Sequence, residues 1–162
     1  MDEIAFALES RVNPTELFGF YQAQRHRGAP QSAEKLLEMV GNSACFVTAR
    51  DGQGRLIGIA RGLADGVRGY LTECKLDPQY QGPAAVTKMD GRIEHDERGI
   101  AREMASRVLG KLREMGCQRI DVIAHGTEVD FCADLGFRRN SGAVAMTIDA
   151  VPQTVLAGAS SP

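Results

Sequence analysis

The stretch HDERGIAREMASRVL, His95–Leu109, decides how the rest of the chain is read. Its polar half ends at Gly99. From Ile100 onward, Met104, Val108, Leu109, Leu112 and Met115 fall on one face at helical spacing, and Gly116 supplies a stop. A helix that begins Arg98-Gly99-Ile100-Ala101 has unpaired backbone N–H groups and a partial positive charge at its mouth. A glycine there lets a ligand approach the backbone, and a phosphate is the ligand such a place suits best.

Upstream, VRGYLTECKLD (67–77) reads as a strand entered from an Asp65-Gly66 turn. ACFVTARDGQGRLIGIARGL (44–63) reads as a hairpin about Asp51-Gly52-Gln53-Gly54. SAEKLLEMVG (32–41) is a short helix capped by Ser32 and stopped by Gly41. NPTELFGFYQAQRH (13–26) opens like a helix, with Asn13 as cap, Pro14 at the first position and Glu16 at capping-box spacing. IAFALESRV (4–12) is a first strand. Downstream, QRIDVIA (118–124) is a buried strand, and Thr127 and Asp130 have capping-box spacing for a helix ending at Leu135-Gly136. GAVAMTID (142–149) alternates as a last strand, and residues 151–162 form a small, polar tail. The order predicts an α/β domain (α+β by some schemes) over residues 1–150, with a mixed sheet flanked by helices.

Composition narrows the function. The 162 residues, 43% hydrophobic and 25% charged, suit one domain with a real core. Nineteen basic against 21 acidic residues leave a net charge of −2, which offers no electrostatic case for nucleic acid. The cluster Arg25-His26-Arg27 reads as a solvated helix end. Cys45, Cys74, Cys117 and Cys132 form no C-x-x-C pair and read as reduced thiols packed as small hydrophobes. No metal site, membrane span or signal peptide is expected, and the cytoplasm is the expected location.

Four pieces carry a resemblance. The element order, LTECKLDPQYQG (71–82), DERGIAREM (96–104), GCQRIDVIAH (116–125) and EVDFCADLGF (128–137) together resemble the GNAT superfamily of N-acetyltransferases, over roughly Ala44 to Ile148. The resemblance implies a mostly antiparallel sheet whose central strands splay. It implies acetyl-CoA as cosubstrate, with its pyrophosphate cradled by the backbone of Arg98, Gly99, Ile100 and Ala101 and with charge from Arg98 and Arg102. The pantetheine arm would pair with backbone at Cys74, Lys75 and Leu76. The reaction implied is acetyl transfer to a primary amine of a small molecule or peptide by direct attack.

Role by role, the resemblance implies Glu73 as base. Cys132 stands where the family usually has a tyrosine that protonates the leaving thiolate, and a cysteine there can donate, leave that step to water, or simply pack. His125 stands where the family often has asparagine, as an acid–base group, a cofactor contact or a helix cap. Tyr21 is the acceptor-pocket candidate of the first helix, whereas Phe18 and Phe20 read as core. Two departures stand out. PAAVTKMDGRIEH (83–95) separates two phrases that usually overlap, and its Asp90-Gly91 suggests a hairpin. An alternative places the fourth strand at GRIEHD (91–96), with Glu94 or His95 near the thioester. Asp96 replaces the usual Gln or Arg, and a carboxylate beside pyrophosphate is unhelpful unless it points away.

The alternatives are a CoA-binding module without turnover, a plain interaction domain, and transfer of a longer acyl group. A homodimer, the commonest oligomer, is the prior for assembly.

Overall fold

Two aspartates shape the turns that set the strand register. Asp51 Oδ1 accepts the N–H groups of Gln53 and Arg55 at 3.0 and 2.9 Å, and Asp65 Oδ1 accepts those of Val67 and Arg68 at 2.9 and 2.8 Å. The computed structural model describes residues 3–24, 32–82, 92–126 and 128–150. In chain order these form β1 (Ala5–Leu8), α1 (Pro14–Ala23), α2 (Ala33–Asn42), β2 (Cys45–Arg50), β3 (Leu56–Ala64) and β4 (Arg68–Leu76). A 3₁₀ turn (Pro78–Tyr80), α3 (Ile100–Glu114), β5 (Arg119–Val122) and α4 (Glu128–Asp134) follow.

The strands lie in the order β1-β2-β3-β4-β5. The first three pairings are antiparallel and the last, β4 with β5, is parallel. The sheet is therefore mixed and mostly antiparallel, as expected.

Each face of the sheet has its own helices. Leu17, Phe20 and Tyr21 of α1 and Leu36 and Val40 of α2 pack with Phe46, Leu56 and Ile59. On the opposite face α3 buries Ile100, Met104, Val108 and Leu112 against Val47, Ala49, Ala60 and Leu71. Each Val, Leu, Ile, Phe or Met side chain among these contributes about 1.5–3 kcal/mol when fully buried. β3 is cut small beneath α3: a Cβ on Gly58 would lie 2.8 Å from Met104 Cε, and one on Gly62 would lie 2.9 Å from Val108 Cγ1. These two glycines let the helix settle close to the strand.

Local expectations hold with informative differences. Asn13 Oδ1 accepts from Thr15 and Glu16 N–H, and Ser32 Oγ accepts from Lys35 N–H, so both caps form. Glu16 does not complete a box; its carboxylate meets Arg50 of β2 at 2.8 Å. Gly41 does not stop α2, which runs on to Asn42.

The alternative fourth strand at 91–96 is overturned: β4 is Arg68–Leu76, and no strand occurs among 92–96. The suggested hairpin at Asp90-Gly91 lies outside the described residues. Gln81 draws together the flanks of that segment, donating from Nε2 to the Leu76 carbonyl at 2.9 Å and accepting the Glu94 N–H on Oε1 at 3.0 Å.

The predicted last strand is also corrected. Residues 143–148 join no strand of the sheet, and Val144, Met146 and Ile148 are 80%, 91% and 92% exposed. Their alternation is genuine strand patterning, but nothing among the described residues lies opposite them to pair with.

Candidate active site

β4 and β5 pair only from Arg68–Leu71 against Arg119–Val122. Beyond that point β5 ends while β4 runs on to Leu76, so the strands part. The register of β3 against β4 shifts at the same level. Arg61 faces Glu73 and Gly62 faces Leu71, which leaves Thr72 as the extra residue of a bulge. Bulges re-aim the residues beside them, and Glu73 is one of those residues.

Glu73 lies on the sheet face covered by α1. Tyr21 Oη donates to its Oε2 in a short hydrogen bond, and Arg61 Nη2 donates to its Oε1 at 3.1 Å. Glu73 and Arg61 side chains are 18% and 12% exposed, and Tyr21 is buried. Burial first, and the adjacent Glu73 carboxylate second, hold the Tyr21 hydroxyl far above the ordinary tyrosine range. Tyr21 therefore stays protonated as the donor of this pair. The sequence singled out both Tyr21 and Glu73 but not their contact, and it missed Arg61 altogether. The pairing spans 52 residues from Tyr21 and 12 from Arg61. A signal for Arg61 was available: a charged residue in the middle of an otherwise apolar strand needs a partner.

The other face of β4 turns toward α3. Cys74 Sγ lies 3.7 Å from the Ala101 carbonyl, tying the strand to the first turn of the helix. Burial pushes the Cys74 thiol up, and Asp96, Glu128 and Cys132 push it further in the same direction. The Cys132 thiol on α4 is pushed up to about 11, by burial and then by Glu128. Both are thiols at neutral pH. Lys75 and Leu76 are buried, and the Leu76 carbonyl already accepts from Gln81. His125 is exposed, and its N–H donates to Glu128 Oε1 at 3.2 Å at the start of α4.

The start of α3 departs from the expected set of unpaired N–H groups, because Gly99 and Ala101 already donate within the chain. Gly99 is the N-cap with φ 68°, and nothing lies within 4 Å of where its Cβ would be. The N–H groups of Ala101 and Arg102 point at an anion, and that anion is the chain's own. Asp96 accepts from Ala101 N–H on Oδ1 at 3.0 Å and from Arg102 N–H on Oδ2 at 2.9 Å. The Gly99 N–H donates to the Asp96 carbonyl at 3.0 Å. Arg98 turns its guanidinium over the Tyr80 ring, 5.7 Å from the centroid.

This helix mouth opens on a cleft of about 470 Å³ between the 93–96 segment and α4, lined by Glu94, His95, Asp96, Gly99, Arg102, Asp130 and Asp134 among others. A second cleft of about 490 Å³ lies between α1 and the start of β3, lined by Glu16, Gly19, Phe20, Gln24, Arg55 and Asp77 among others.

Solved structures share this fold. A Deinococcus radiodurans R1 protein assigned as an acetyltransferase is 25% identical, with a TM-score of 0.61 over 91% of this chain and 88% of that one. A GNAT-family acetyltransferase of Streptococcus pneumoniae TIGR4 is 18% identical, with a TM-score of 0.64 over 91% and 100%. The chain has the GNAT fold. An aminoglycoside N-acetyltransferase solved in complex with CoA also shares it, 14% identical with a TM-score of 0.65 over 93% of this chain and 97% of that one. The profile for bacterial regulatory proteins of the crp family matches residues 99–117 alone. In this GNAT fold those residues are α3 and its stop, a helix with its apolar stripe buried on the sheet. No curated protein matches the chain.

The donor set at the start of α3 fits the pyrophosphate of CoA in kind, because it already holds a carboxylate through two backbone N–H groups. It fits in practice only if Asp96 turns aside, since the two anions would use the same donors.

Proposed function

We propose that this protein transfers an acetyl group from acetyl-CoA to a primary amine of a small-molecule or peptide acceptor by direct attack. The observation that carries this reading is the parting of β4 from β5 beyond Leu71 and Val122, beside a helix start whose N–H groups hold an anion. Arg98, Gly99, Ile100, Ala101 and Arg102 would hold the pyrophosphate once Asp96 has turned away. Backbone at Cys74, Lys75 and Leu76 would receive the pantetheine arm. CoA supplies the activated acetyl group; the protein's part is mainly to hold amine and thioester together.

The acceptor is placed in the cleft under α1. This helix supplies both a wall of that cleft and Tyr21. Glu73 serves as base through Tyr21, whose hydroxyl hands its proton to Glu73 Oε2 as it takes one from the amine, while Arg61 holds Oε1. Cys132, a thiol with a pKa of about 11, is the donor proposed for the departing thiolate. His125 is assigned to the cofactor side of the site. Residues 1–150 make up the acetyltransferase domain, 83–95 an insertion in it, and 151–162 a tail. The work is placed in the cytoplasm.

Calorimetric titration with acetyl-CoA, followed by thiol release across a panel of small amines, tests this. Binding that Gly99→Glu abolishes, with thiol release on adding an amine, is the expected result. No binding by the native chain would leave only an architectural likeness. A second reading, a CoA-binding module without turnover, draws on the fully engaged carboxylate of Glu73. Binding without thiol release for any amine would select it.

A further inference from the structure

Each charged residue in the described lining of the cleft under α1 already has a partner of its own. Arg50 holds Glu16 through both oxygens, Nη1 donating to Oε2 at 2.8 Å and Nη2 lying 2.8 Å from Oε1. Arg55 lies 3.2 Å from Asp51 and 3.6 Å from Asp77. A charged ligand would have to compete with these pairs. The rest of the lining is Gly19, Phe20, Ala23, Leu56 and Pro78, with the side chains of two glutamines.

One of those glutamines is incompletely bonded. Gln24 caps the end of α1 and is 3% exposed, and its Oε1 is buried with no hydrogen-bond partner among the described residues. A buried amide oxygen without a donor is unfavourable, and native structures rarely leave one so. Gln24 is part of the wall of a cleft of about 490 Å³. That volume is in the range of small-molecule sites, which pair an apolar lining with a few placed polar groups.

We infer that the acceptor carries, beside its primary amine, an uncharged and mainly apolar body with an N–H or O–H group, and that Gln24 Oε1 accepts from that group. The body settles on Phe20, Leu56 and Pro78. This rests on the placement of the acceptor in this cleft and narrows its chemistry. An amine that adjoins an apolar side chain and an amide fits; a polycation or a phosphorylated sugar does not. Gln24 is then a specificity-determining residue.

Calorimetric titration of L-phenylalaninamide, 2-phenylethylamine and spermidine tests this, each into the free protein and into protein saturated with CoA. CoA carries no acetyl group to transfer, so binding is read without turnover. Phenylalaninamide should bind about tenfold more tightly than 2-phenylethylamine, which lacks the amide donor, and spermidine should bind worst. Gln24→Met removes the accepting oxygen at similar length and should bring the first two amines level. Gly19→Leu places a side chain where a Cβ meets nothing within 4 Å, favours the helix, and should abolish binding of both apolar amines. The inference is overturned if spermidine binds best, if none of the amines binds, or if either variant leaves the native affinities unchanged. Failure of CoA to bind overturns the cofactor reading instead, and the titrations into free protein then decide the chemistry of the cleft.

Discussion

Replacing Asp96 by asparagine should tighten acetyl-CoA binding while lowering stability. The carboxylate accepts two backbone N–H groups at 3.0 and 2.9 Å at the start of α3. Hydrogen bonds to a charged group contribute about 1.5–3 kcal/mol each, and an anion at a helix N-terminus adds about 0.3–1 kcal/mol. An incoming pyrophosphate forfeits part of that sum, because it must first displace the carboxylate and then sit beside its charge. Asparagine keeps one acceptor oxygen, so the helix keeps part of its cap, but the negative charge is gone. If half of one charged bond and the dipole contribution no longer oppose the ligand, the gain is about 1.4 kcal/mol, a roughly tenfold lower Kd. The same change weakens the cap and should cost about 0.5–2 kcal/mol of stability. Calorimetry at fixed ionic strength gives the first quantity and thermal melting gives the second; salt must be held constant because it screens this effect. An Asp96→Asn variant that melts lower but binds acetyl-CoA no more tightly would refute the competition, and with it the assignment of these two donors to the pyrophosphate.

Other outcomes follow from the same geometry. Arg61→Ala leaves the Glu73 carboxylate without its cation in a mostly buried place and should cost about 3 kcal/mol in chemical denaturation; Tyr21→Phe should cost about 1.5–3 kcal/mol, and a loss under about 0.5 kcal/mol for both would refute the pairing. Gly62→Ala pushes a methyl to 2.9 Å from Val108 Cγ1 and 3.1 Å from Leu112 Cδ1, which should destabilise by about 1–3 kcal/mol. Gly110→Ala on the same helix meets nothing within 4 Å and should stabilise by about 0.5–1 kcal/mol, so melting temperatures should move in opposite directions. The Cys132 thiol, raised to about 11, should alkylate slowly at neutral pH and about tenfold faster per pH unit until that value, by peptide mapping after iodoacetamide. Because an unfolded thiol titrates near about 8.5, the unfolded chain releases its proton first, and stability should fall as pH climbs from there through about 11.

What the sequence conveyed well was local. Asp51, Asp65, Asn13 and Ser32 each bond a backbone N–H two to four residues away, and each is readable from neighbours alone. The α3 stripe and the β4 strand are equally legible, because burial imposes their periods. Failures came where a partner lies far along the chain. Glu73 could be named, but not its clamp between Tyr21 and Arg61. The alternation of 142–149 is strand patterning, yet patterning carries no information on which sheet edge will be met. Asp96 stands out of place by its charge alone, whereas its position on the Ala101 and Arg102 N–H groups required the turn at Gly99 to be seen.

Gln81 has a consequence for anyone wishing to build on this scaffold. Its side chain bonds the carbonyl at Leu76 and the amide at Glu94, and its own carbonyl takes the Glu97 amide at 3.2 Å. One buried amide thus holds the end of β4 and the approach to α3 together. A redesign that puts an apolar residue in place of Gln81 would release both at once and leave the Leu76 carbonyl and the Glu94 N–H without this partner.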